Sequence, residues 1–322
     1  MRTSRLLMAL GATLCALLAA MPAAWAQAWP ARPVRILVAF PAGGGTDATA
    51  RAYAEKLSQE LGQQFVVENR VGASGAIGHE ACAKAANDGY TLCVNTLGAL
   101  GLLPNLRKTP YDPLKDFTAI GRVTDALFAF ASHPSRPWKT MQEFIALAKA
   151  SPGKFTLANS GPGTITHLAG ETMAAGLGLQ LIMVPYKGGV EQLQDALAGH
   201  VDMMYEGNVF PHIKAGKLVG LAVSTPFRHP HFPEIPTMKE ILPSWDLPSW
   251  FAFMAPAGIP ADIPARLSPI LNRIGEMPDV RERVLAMGLV PIKDTPADLA
   301  RDLPLLHARF GAMVKRLNIK VD

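Results

Sequence analysis

The stretch VRILVAFPAGGGTDATAR, Val34 to Arg51, decides the fold of this chain. Its first part, Val34 to Phe40, is apolar and predicts a buried strand, and the three glycines Gly43 to Gly45 follow it. We expect a helix from about Asp47, with Thr46 or Asp47 as its N-cap. Glycines leave the backbone N–H groups bare at the positive end of this helix, which favours an anion. The stretch therefore predicts an anion-binding turn.

The first 26 residues have the features of a secretory signal peptide. Arg2 and Arg5 precede an apolar run from Leu6 to Leu18, and Ala24-Trp25-Ala26 is a small-x-small cleavage site. The apolar run is too short to cross a membrane. We therefore expect cleavage near Ala26-Gln27, export of the mature chain and no insertion into the membrane.

Composition excludes several classes of function. The chain of 322 residues has 31 basic and 26 acidic residues, a net charge of +5, and the basic residues form no block. Nucleic acid is therefore not an expected partner. The Cys and His residues show no metal-ligand spacing, so we expect neither a metal nor a cofactor. We also expect a monomer.

Two cysteines, Cys82 and Cys93, remain after removal of the signal peptide. Cys82 lies on a predicted helix and Cys93 on the next predicted strand. A pair of cysteines can form a disulfide in an oxidising compartment. We favour two small buried apolar side chains, with the disulfide as the alternative.

Strands alternate with helices along the chain, which predicts an α/β fold of mainly parallel sheets flanked by helices. A second series repeats the opening arrangement, with a strand at Phe155 to Ala158, a polar glycine-rich turn at Asn159 to Thr164 and a helix after it. Ligands bind beyond the carboxyl ends of parallel strands. Two such turns on facing lobes would clamp a small anion between them.

The C-terminal segment from about Ala265 is predicted to be helical, without strands of its own, and to pack on the first sheet. The chain would then cross between the lobes twice, near Leu127 to Ser132 and near Ser249 to Ala255. We expect domain 1 to comprise residues 27–127 and 252–322, and domain 2 to comprise residues 128–251.

A dinucleotide site is one alternative interpretation of the first turn. Gly43-x-Gly45-x-x-Ala48 matches the fingerprint, and Glu68 ends the next predicted strand about 20 residues on. However, the export signal leads to a compartment without nicotinamide cofactor. The carboxylate of Asp47 would also lie near the pyrophosphate. We therefore do not favour this site.

An exported serine hydrolase using Ser160 is another alternative. Ser160 does not lie in a Gly-x-Ser-x-Gly elbow. A triad would need a base such as His167 and an orienting acid such as Asp202 or Glu206. We favour Ser160 as a hydrogen-bond donor to ligand and His167 as a capping or supporting residue.

The remaining polar side chains of interest are a tyrosine, a lysine and four histidines. We expect Tyr186 to line the cleft and Lys187 to lie in solvent. The surface is the expected place for four histidines, namely His200, His212, His229 and His231.

Several motifs together resemble the Bug or TctC family, the periplasmic solute-binding proteins of tripartite tricarboxylate transporters. They span essentially the whole mature chain. In chain order they are Trp29-Pro30-x-Arg32-Pro33-Val34-Arg35, Phe40-Pro41-Ala42-Gly43-Gly44-Gly45-Thr46-Asp47, Val66-Val67-Glu68-Asn69-Arg70-x-Gly72-Ala73, Ala83-Lys84-Ala85-x-x-Asp88-Gly89-Tyr90-Thr91-Leu92, Pro110-Tyr111-Asp112-Pro113-x-Lys115-Asp116-Phe117, Ser160-Gly161-x-Gly163-x-x-x-His167-Leu168-Ala169-Gly170-Glu171, Val184-Pro185-Tyr186-Lys187-Gly188, Ile213-Lys214-Ala215-Gly216-Lys217-Leu218 and Ala255-Pro256-Ala257-Gly258-x-Pro260.

The resemblance implies a two-lobed Venus-flytrap protein, similar to type II periplasmic binding proteins, with no catalytic residues. In the family, the two glycine-rich turns hold a ligand carboxylate through backbone N–H groups and waters. Here those turns are Phe40 to Asp47 and Asn159 to Thr164. The loop Thr96 to Leu102 and the segment around Tyr205 to Asn208 would shape the rest of the site. Glu206 stands close to a position where family members often have aspartate.

The expected ligand-binding residues are Phe40, Ala42, Gly43, Gly44, Thr46, Asp47, Thr96, Asn159, Ser160, Gly161, Gly163, Thr164, His167, Tyr186 and Glu206. The resemblance implies that the protein binds a small carboxylate in the periplasm. It would deliver this ligand to an inner-membrane permease or to a sensor kinase.

Overall fold

The computed structural model describes residues 29–319, so the predicted signal peptide and its cleavage site lie outside the described residues. Within that range the strands are β1 (Val34–Val38), β2 (Phe65–Asn69), β3 (Thr91–Thr96), β4 (Phe117–Ala126), β5 (Ala129–Ser132), β6 (Phe155–Asn159), β7 (Leu181–Pro185), β8 (Met203–Glu206), β9 (Val219–Val223), β10 (Trp250–Pro256) and β11 (Leu289–Pro291).

The α-helices of the described range are α1 (Gly45–Leu61), α2 (Ala76–Ala83), α3 (Leu103–Leu106), α4 (Met141–Ala150), α5 (Ile165–Leu177), α6 (Gly189–Leu197), α7 (Phe210–Lys214), α8 (Met238–Ile241), α9 (Asp262–Glu276), α10 (Pro278–Leu285) and α11 (Pro296–Leu317). A 3₁₀ turn at Ala73–Gly75 and a π-helix at Gly98–Leu102 complete the helical elements. The π-helix occupies the segment for which the sequence predicted a loop.

The strands form two separate sheets. Lobe 1 contains a six-stranded sheet in the order β11-β4-β10-β3-β1-β2, and lobe 2 contains a five-stranded sheet in the order β7-β6-β8-β5-β9. Helices cover both sheets, and apolar side chains of strands and helices contribute about equally to the buried core. The two-lobed α/β fold predicted from the sequence is confirmed.

Both sheets are mixed, whereas the sequence predicted mainly parallel ones. In lobe 1, β1 pairs in parallel with β2 and β3, but β10 is antiparallel to β3 and β4, and β11 is antiparallel to β4. In lobe 2, β6 is parallel to β7 and β8, while β5 is antiparallel to β8 and β9. The antiparallel pairs involve the strands at the crossings between lobes, which do not belong to strand–helix–strand units.

The two crossings between the lobes lie side by side. The chain leaves lobe 1 at the end of β4 and enters β5, and it returns at the start of β10. There Trp250 stands opposite Asp125 in the antiparallel β4–β10 pair, and Ala126 N–H donates to Ser249 O at 2.9 Å. Paired crossings of this kind can bend together as a hinge. The domain boundaries at 127/128 and 251/252 remain a prediction.

The C-terminal segment returns to lobe 1 and packs on its sheet. The long helix α11 contacts β4 and the π-helix, and α9 covers β4 as well. The prediction that this segment lacks strands is wrong, because β11 pairs with the end of β4, with Leu289 opposite Ala126. Three residues are too few to show an alternating pattern, so only the pairing reveals this strand.

Cys82 and Cys93 form a disulfide, contrary to the preference for two unbonded buried side chains. The bond links the end of α2 to β3, and the two Cα atoms lie 6.2 Å apart. The packing of α2 on the sheet brings the two side chains together. The sequence alone does not define that packing.

The surface prediction is wrong for His229. Its side chain is 2% exposed and its ring lies 4.3 Å from that of Phe210. Burial lowers the pKa of His229 to about 4. The proline-rich loop folds back on α7, an arrangement that its polar sequence does not indicate.

The disulfide should contribute to the stability of lobe 1. It closes a short loop, with 11 residues of sequence separation, which corresponds to about 2 to 3 kcal/mol of loop-closure entropy. We expect the double variant Cys82→Ala/Cys93→Ala to lose about this much free energy of unfolding in a urea titration. Wild-type protein treated with a thiol reductant is the matched comparison. Equal urea midpoints for oxidised and reduced protein would contradict this assignment.

Candidate functional site

A cavity of about 60 Å³ lies between the two lobes. Both glycine-rich turns and both crossings contribute to its walls. The lining residues are Phe40, Pro41, Gly44, Gly45, Thr46, Ser74, Thr96, Gly98 and Ala99 from lobe 1, Ser160, Thr164, Ile165, Thr166, Gly189, Val190 and Glu206 from lobe 2, and Phe128, Ser249 and Phe251 at the crossings.

The first turn carries β1 into the N-terminus of α1 at the cavity wall. Gly44 is the N-cap, with no side-chain hydrogen bond to the helix, so the predicted cap at Thr46 or Asp47 is wrong. The first N–H groups of a helix have no partner within it. Gly44, Gly45 and Thr46 therefore bring polar backbone and the positive end of α1 to the cavity.

Asp47 holds the first turn in shape. Its carboxylate accepts hydrogen bonds from Gly43 N–H at 2.9 Å, Asn69 Nδ2 at 3.0 Å and Arg51 Nε at 2.9 Å. Burial alone would raise the pKa of Asp47, but the hydrogen bonds from Arg51, Gly43 and Asn69 outweigh it and lower the pKa. The carboxylate is therefore ionised and already paired, behind the turn.

The second turn carries β6 into α5, and side chains lock it in several places. Thr164 is the N-cap and accepts from His167 N–H, while its hydroxyl donates to Gly161 O at 2.7 Å. Asn159 Oδ1 accepts from Gly161 N–H at 2.9 Å, and Thr166 Oγ1 accepts from Ser160 N–H at 2.9 Å. Gly161 has φ of +102°, a conformation that favours glycine.

Each turn is held in shape by a side chain at the equivalent helix position, and the two side chains differ in chemistry. Asp47 and His167 each occupy the third position of their helix, and each side chain accepts from the N–H that precedes the N-cap residue. His167 Nδ1 accepts from Gly163 N–H at 3.4 Å. Burial lowers the pKa of His167, which keeps the ring neutral and able to accept. The turns thus present similar backbone to the cavity.

The lobes contact each other around the cavity. A Cβ added at Gly98 of lobe 1 would lie 3.1 Å from the backbone N of Ile165 in lobe 2. One added at Gly188 of lobe 2 would lie 2.8 Å from Cδ of Pro41 in lobe 1. This is the closed arrangement of a two-lobed binding protein, and side chains at either glycine would obstruct it.

Two polar side chains, Ser160 and Glu206, lie on the lobe 2 wall of the cavity, and Gln192 contacts Ser160 from behind. Ser160 Oγ lies 2.5 Å from Glu206 Oε1 and 2.7 Å from the side-chain amide of Gln192. Gln192 is fully buried and Ser160 is 6% exposed, while Glu206 is partly buried and faces the cavity. Phe40, Phe128 and Phe251 contribute aromatic side chains to the other walls of the cavity.

The residues expected from the sequence divide into two sets. Those at the cavity wall are Phe40, Gly44, Thr46, Thr96, Ser160, Thr164 and Glu206. Those behind the wall or outside it are Ala42, Gly43, Asp47, Asn159, Gly161, Gly163, His167 and Tyr186. Within the second set, Ala42 and Gly43 are exposed, whereas Asp47, Asn159 and His167 support the turns.

Tyr186 lies in a neighbouring groove together with Gly161, rather than in the cavity itself. Its hydroxyl donates to Asp195 Oδ2 at 2.6 Å. Lys187 beside it is exposed, as the sequence predicted. These side chains therefore lie at the outer edge of the cleft.

Sequence reasoning missed several contributors to the site. Gln192 supports Ser160 from α6, and Phe128 and Phe251 come from the two crossings. The apolar crossings were recognisable as strands, but no local pattern distinguishes an aromatic side chain facing a cavity from one in the core.

Ser160 has no catalytic partners of the kind a hydrolase needs. His167 Nδ1 accepts from Gly163 N–H, and Ser160 Oγ contacts Glu206 and Gln192 instead. Among the described residues, no group of three or more His, Cys, Asp or Glu side chains is arranged to hold a metal ion. Within residues 29–319, no helix has the length and apolarity needed to cross a membrane.

The hydrogen bonds of Asp47 predict how the stability of the protein changes in acid. Its pKa is lowered in the folded state, so its stabilisation is complete above the ordinary aspartate pKa and is lost as the pH falls through the lowered value. We expect Asp47→Asn to unfold more easily than wild type at neutral pH, by about 1 to 3 kcal/mol. This difference should shrink in acid. Urea titrations at several pH values measure this difference in the free energy of unfolding. A difference that does not depend on pH would contradict stabilisation by the ionised carboxylate of Asp47.

Comparison with known proteins supports one family. A family model described as "Tripartite tricarboxylate transporter family receptor" matches residues 49–319. Protein BugT of Bordetella pertussis (strain Tohama I) is 36% identical, and the match covers 100% of both chains.

Two solved structures from Rhodopseudomonas palustris are also similar. Rpa4515 with adipate is 31% identical, with a TM-score of 0.86 over 91% of this chain and 99% of that one. MatC (Rpa3494) with bound malate is 30% identical, with a TM-score of 0.83 over 89% of this chain and 100% of that one. The chain belongs to the Bug/TctC family of periplasmic solute-binding proteins, and it is a binding protein rather than an enzyme.

Proposed function

We propose that this protein binds a small carboxylate in the cavity between its lobes. One observation carries the proposal: the N-termini of α1 and α5, on different lobes, both reach the same cavity. Each contributes unpaired backbone N–H groups and the positive end of a helix dipole. The lining residues include no Lys or Arg, so backbone and hydroxyl groups would hold the anion.

The ligands of the two solved relatives support this chemistry. Adipate and malate are small organic acids, and each is bound by a protein about 30% identical to this chain.

The proposed contacts divide between the two lobes. The backbone N–H groups of Gly45 and Thr46 would bind the carboxylate from lobe 1, and those of Ile165 and Thr166 from lobe 2. Asp47 and His167 would act indirectly, by holding the turns in shape. The remainder of the ligand would face the aromatic walls and Glu206.

Binding would favour the closed arrangement over an open one, because only closed lobes bring both turns to one ligand. The closed protein would then deliver its ligand to an inner-membrane permease of the tripartite tricarboxylate type or to a sensor kinase. The family description supports the transporter.

Calorimetry with a panel of ligands tests the carboxylate proposal. We expect at least one of malate, succinate, adipate and citrate to bind, because the cavity offers anion-binding backbone. Glucose is the neutral control and should not bind. Binding of glucose, with no response to any mono-, di- or tricarboxylate, would overturn the proposal.

Gly98→Val tests whether closure is needed for binding. The added side chain would collide with the backbone at Ile165 in the closed arrangement only. We expect it to weaken binding at least about tenfold, which is 1.4 kcal/mol, without changing the free energy of unfolding by a similar amount. Ala150→Val, at the exposed end of α4, is the control and should bind as wild type does. Unchanged affinity of Gly98→Val would contradict closure around the ligand.

Delivery requires a separate test. Ligand-loaded and ligand-free protein can each be cross-linked to inner membranes from cells that express it. We expect a membrane protein to be captured by the loaded form in preference to the empty form. Equal capture by both forms would argue against ligand-dependent delivery.

A further inference from the structure

We propose that Glu206 is a neutral carboxylic acid in the ligand-free protein, and that its proton allows an anionic solute without an ammonium group to enter the cavity. The proposal rests on the proposed function in one respect, since it assumes that the solute is a carboxylate. It adds the protonation state of the site and the class of carboxylate that the site accepts.

The carbonyl oxygen of Ala158 sets the direction of a chain of hydrogen bonds. Of the two polar atoms of the Gln192 side-chain amide, only the nitrogen can donate to this oxygen. In that orientation the nitrogen lies 3.2 Å from the oxygen of Ala158. The amide oxygen of Gln192 then faces Ser160 and accepts from its hydroxyl at 2.7 Å, and it shares the backbone N–H of Ser160, at 3.2 Å, with Thr166 Oγ1.

Ser160 has one hydroxyl proton, which this arrangement commits to Gln192. The contact of 2.5 Å between Ser160 Oγ and Glu206 Oε1 therefore needs a proton from the glutamate. Two oxygen atoms this close without a proton between them would repel each other. A protonated Glu206 donates to Ser160 Oγ and completes the chain from Glu206 through Ser160 and Gln192 to Ala158.

The electrostatic surroundings of Glu206 agree with this assignment. Glu206 is the only ionisable side chain among the residues that line the cavity. Burial raises the pKa of Glu206. Of the hydrogen bonds that would favour the ionised form, only the one from Gly207 N–H remains when Glu206 donates to Ser160, and burial outweighs it. The N-terminus of α6 at Gly189 adjoins the carboxyl group and also favours the ionised form.

The other charged groups on the elements around Glu206 have partners of their own. On α6, Glu191 accepts from the backbone N–H of Lys187, and Asp195 pairs with Tyr186 and His200. The remaining pairs are His167 with Glu171 on α5, Asp202 with Arg136 before β8, and Asp47 with Arg51 on α1. None of these partners supplies a positive charge to the cavity wall.

The protonation state decides which solutes fit. An ionised Glu206 would place a second negative charge in a small cavity with a bound carboxylate, at a high electrostatic cost. A neutral Glu206 removes that cost, and the bound anion raises its pKa further. Binding therefore takes up protons when the pH lies above the pKa of the free protein. Affinity should fall by up to about tenfold for each pH unit above that pKa.

Infrared spectroscopy tests the protonation state without any ligand. The difference spectrum of wild type minus Glu206→Gln at neutral pH should contain the carbonyl band of a protonated carboxylic acid. This band should disappear as the pH is raised. Glu234→Gln removes an exposed acid from the same lobe and is the matched control, which should show only a carboxylate difference. A carboxylate difference for Glu206→Gln as well would overturn the proposal, whether or not carboxylates bind.

Calorimetry with malate and adipate, over a pH series and in buffers of different ionisation enthalpy, tests the effect on binding. We expect wild type and Glu234→Gln to take up protons on binding and to lose affinity as the pH rises. Glu206→Gln keeps a hydrogen-bond donor toward Ser160 and should bind with an affinity that is flat over the same range.

Two results would overturn the inference. One is loss of malate and adipate binding in Glu206→Gln at every pH. The other is a marked preference of wild type for aspartate or glutamate, with a proton released on binding and the preference lost in Glu206→Gln. The second result would mean that an ionised Glu206 pairs with an ammonium group. If no carboxylate binds wild type at all, the proposed function fails while the infrared result still decides the state of Glu206.

Discussion

The unpaired N–H groups at the start of two helices are the constraint on which the site depends. A helix begins with N–H groups that its own turns cannot satisfy, and here α1 and α5 direct theirs toward a common cavity. The protein supports this arrangement from behind, through Asp47 in one turn and His167 in the other. Each side chain accepts from the N–H that precedes the N-cap residue, and the first N–H groups within each helix, at Gly45 and Thr46 and at Ile165 and Thr166, remain unpaired.

The hinge follows from the same requirement. Two turns on separate lobes can meet one ligand only if the lobes are joined flexibly and can approach closely. The crossings at β4–β5 and at the start of β10 run side by side, and they make both sheets mixed rather than parallel. Close approach explains the small residues at the rim, since Gly98 and Gly188 face the backbone or ring of the other lobe.

Much of this could be predicted from the sequence, and particular residues show where prediction stopped. The turns after β1 and β6, the return of the C-terminal helices and the two crossings all follow from local patterns. The disulfide between Cys82 and Cys93, the burial of His229 and the strand β11 do not. Each depends on how distant segments pack. Among the expected site residues, Ser160 and Glu206 reach the cavity wall, whereas Tyr186 lies in the adjacent groove.

The sequence by itself determined the two-lobed α/β fold and the two glycine-rich turns, because glycine placement and apolar periodicity act over a few residues at a time. Only the tertiary structure decided which groups share the cavity. It placed Gln192 of α6 beside Ser160 and Glu206, and it brought Phe128 and Phe251 to the walls. The direction of a hydrogen bond through Ser160 depends on a carbonyl oxygen of Ala158 and an amide 34 residues further along the chain. Such a relation exists only after the strands and helices have packed.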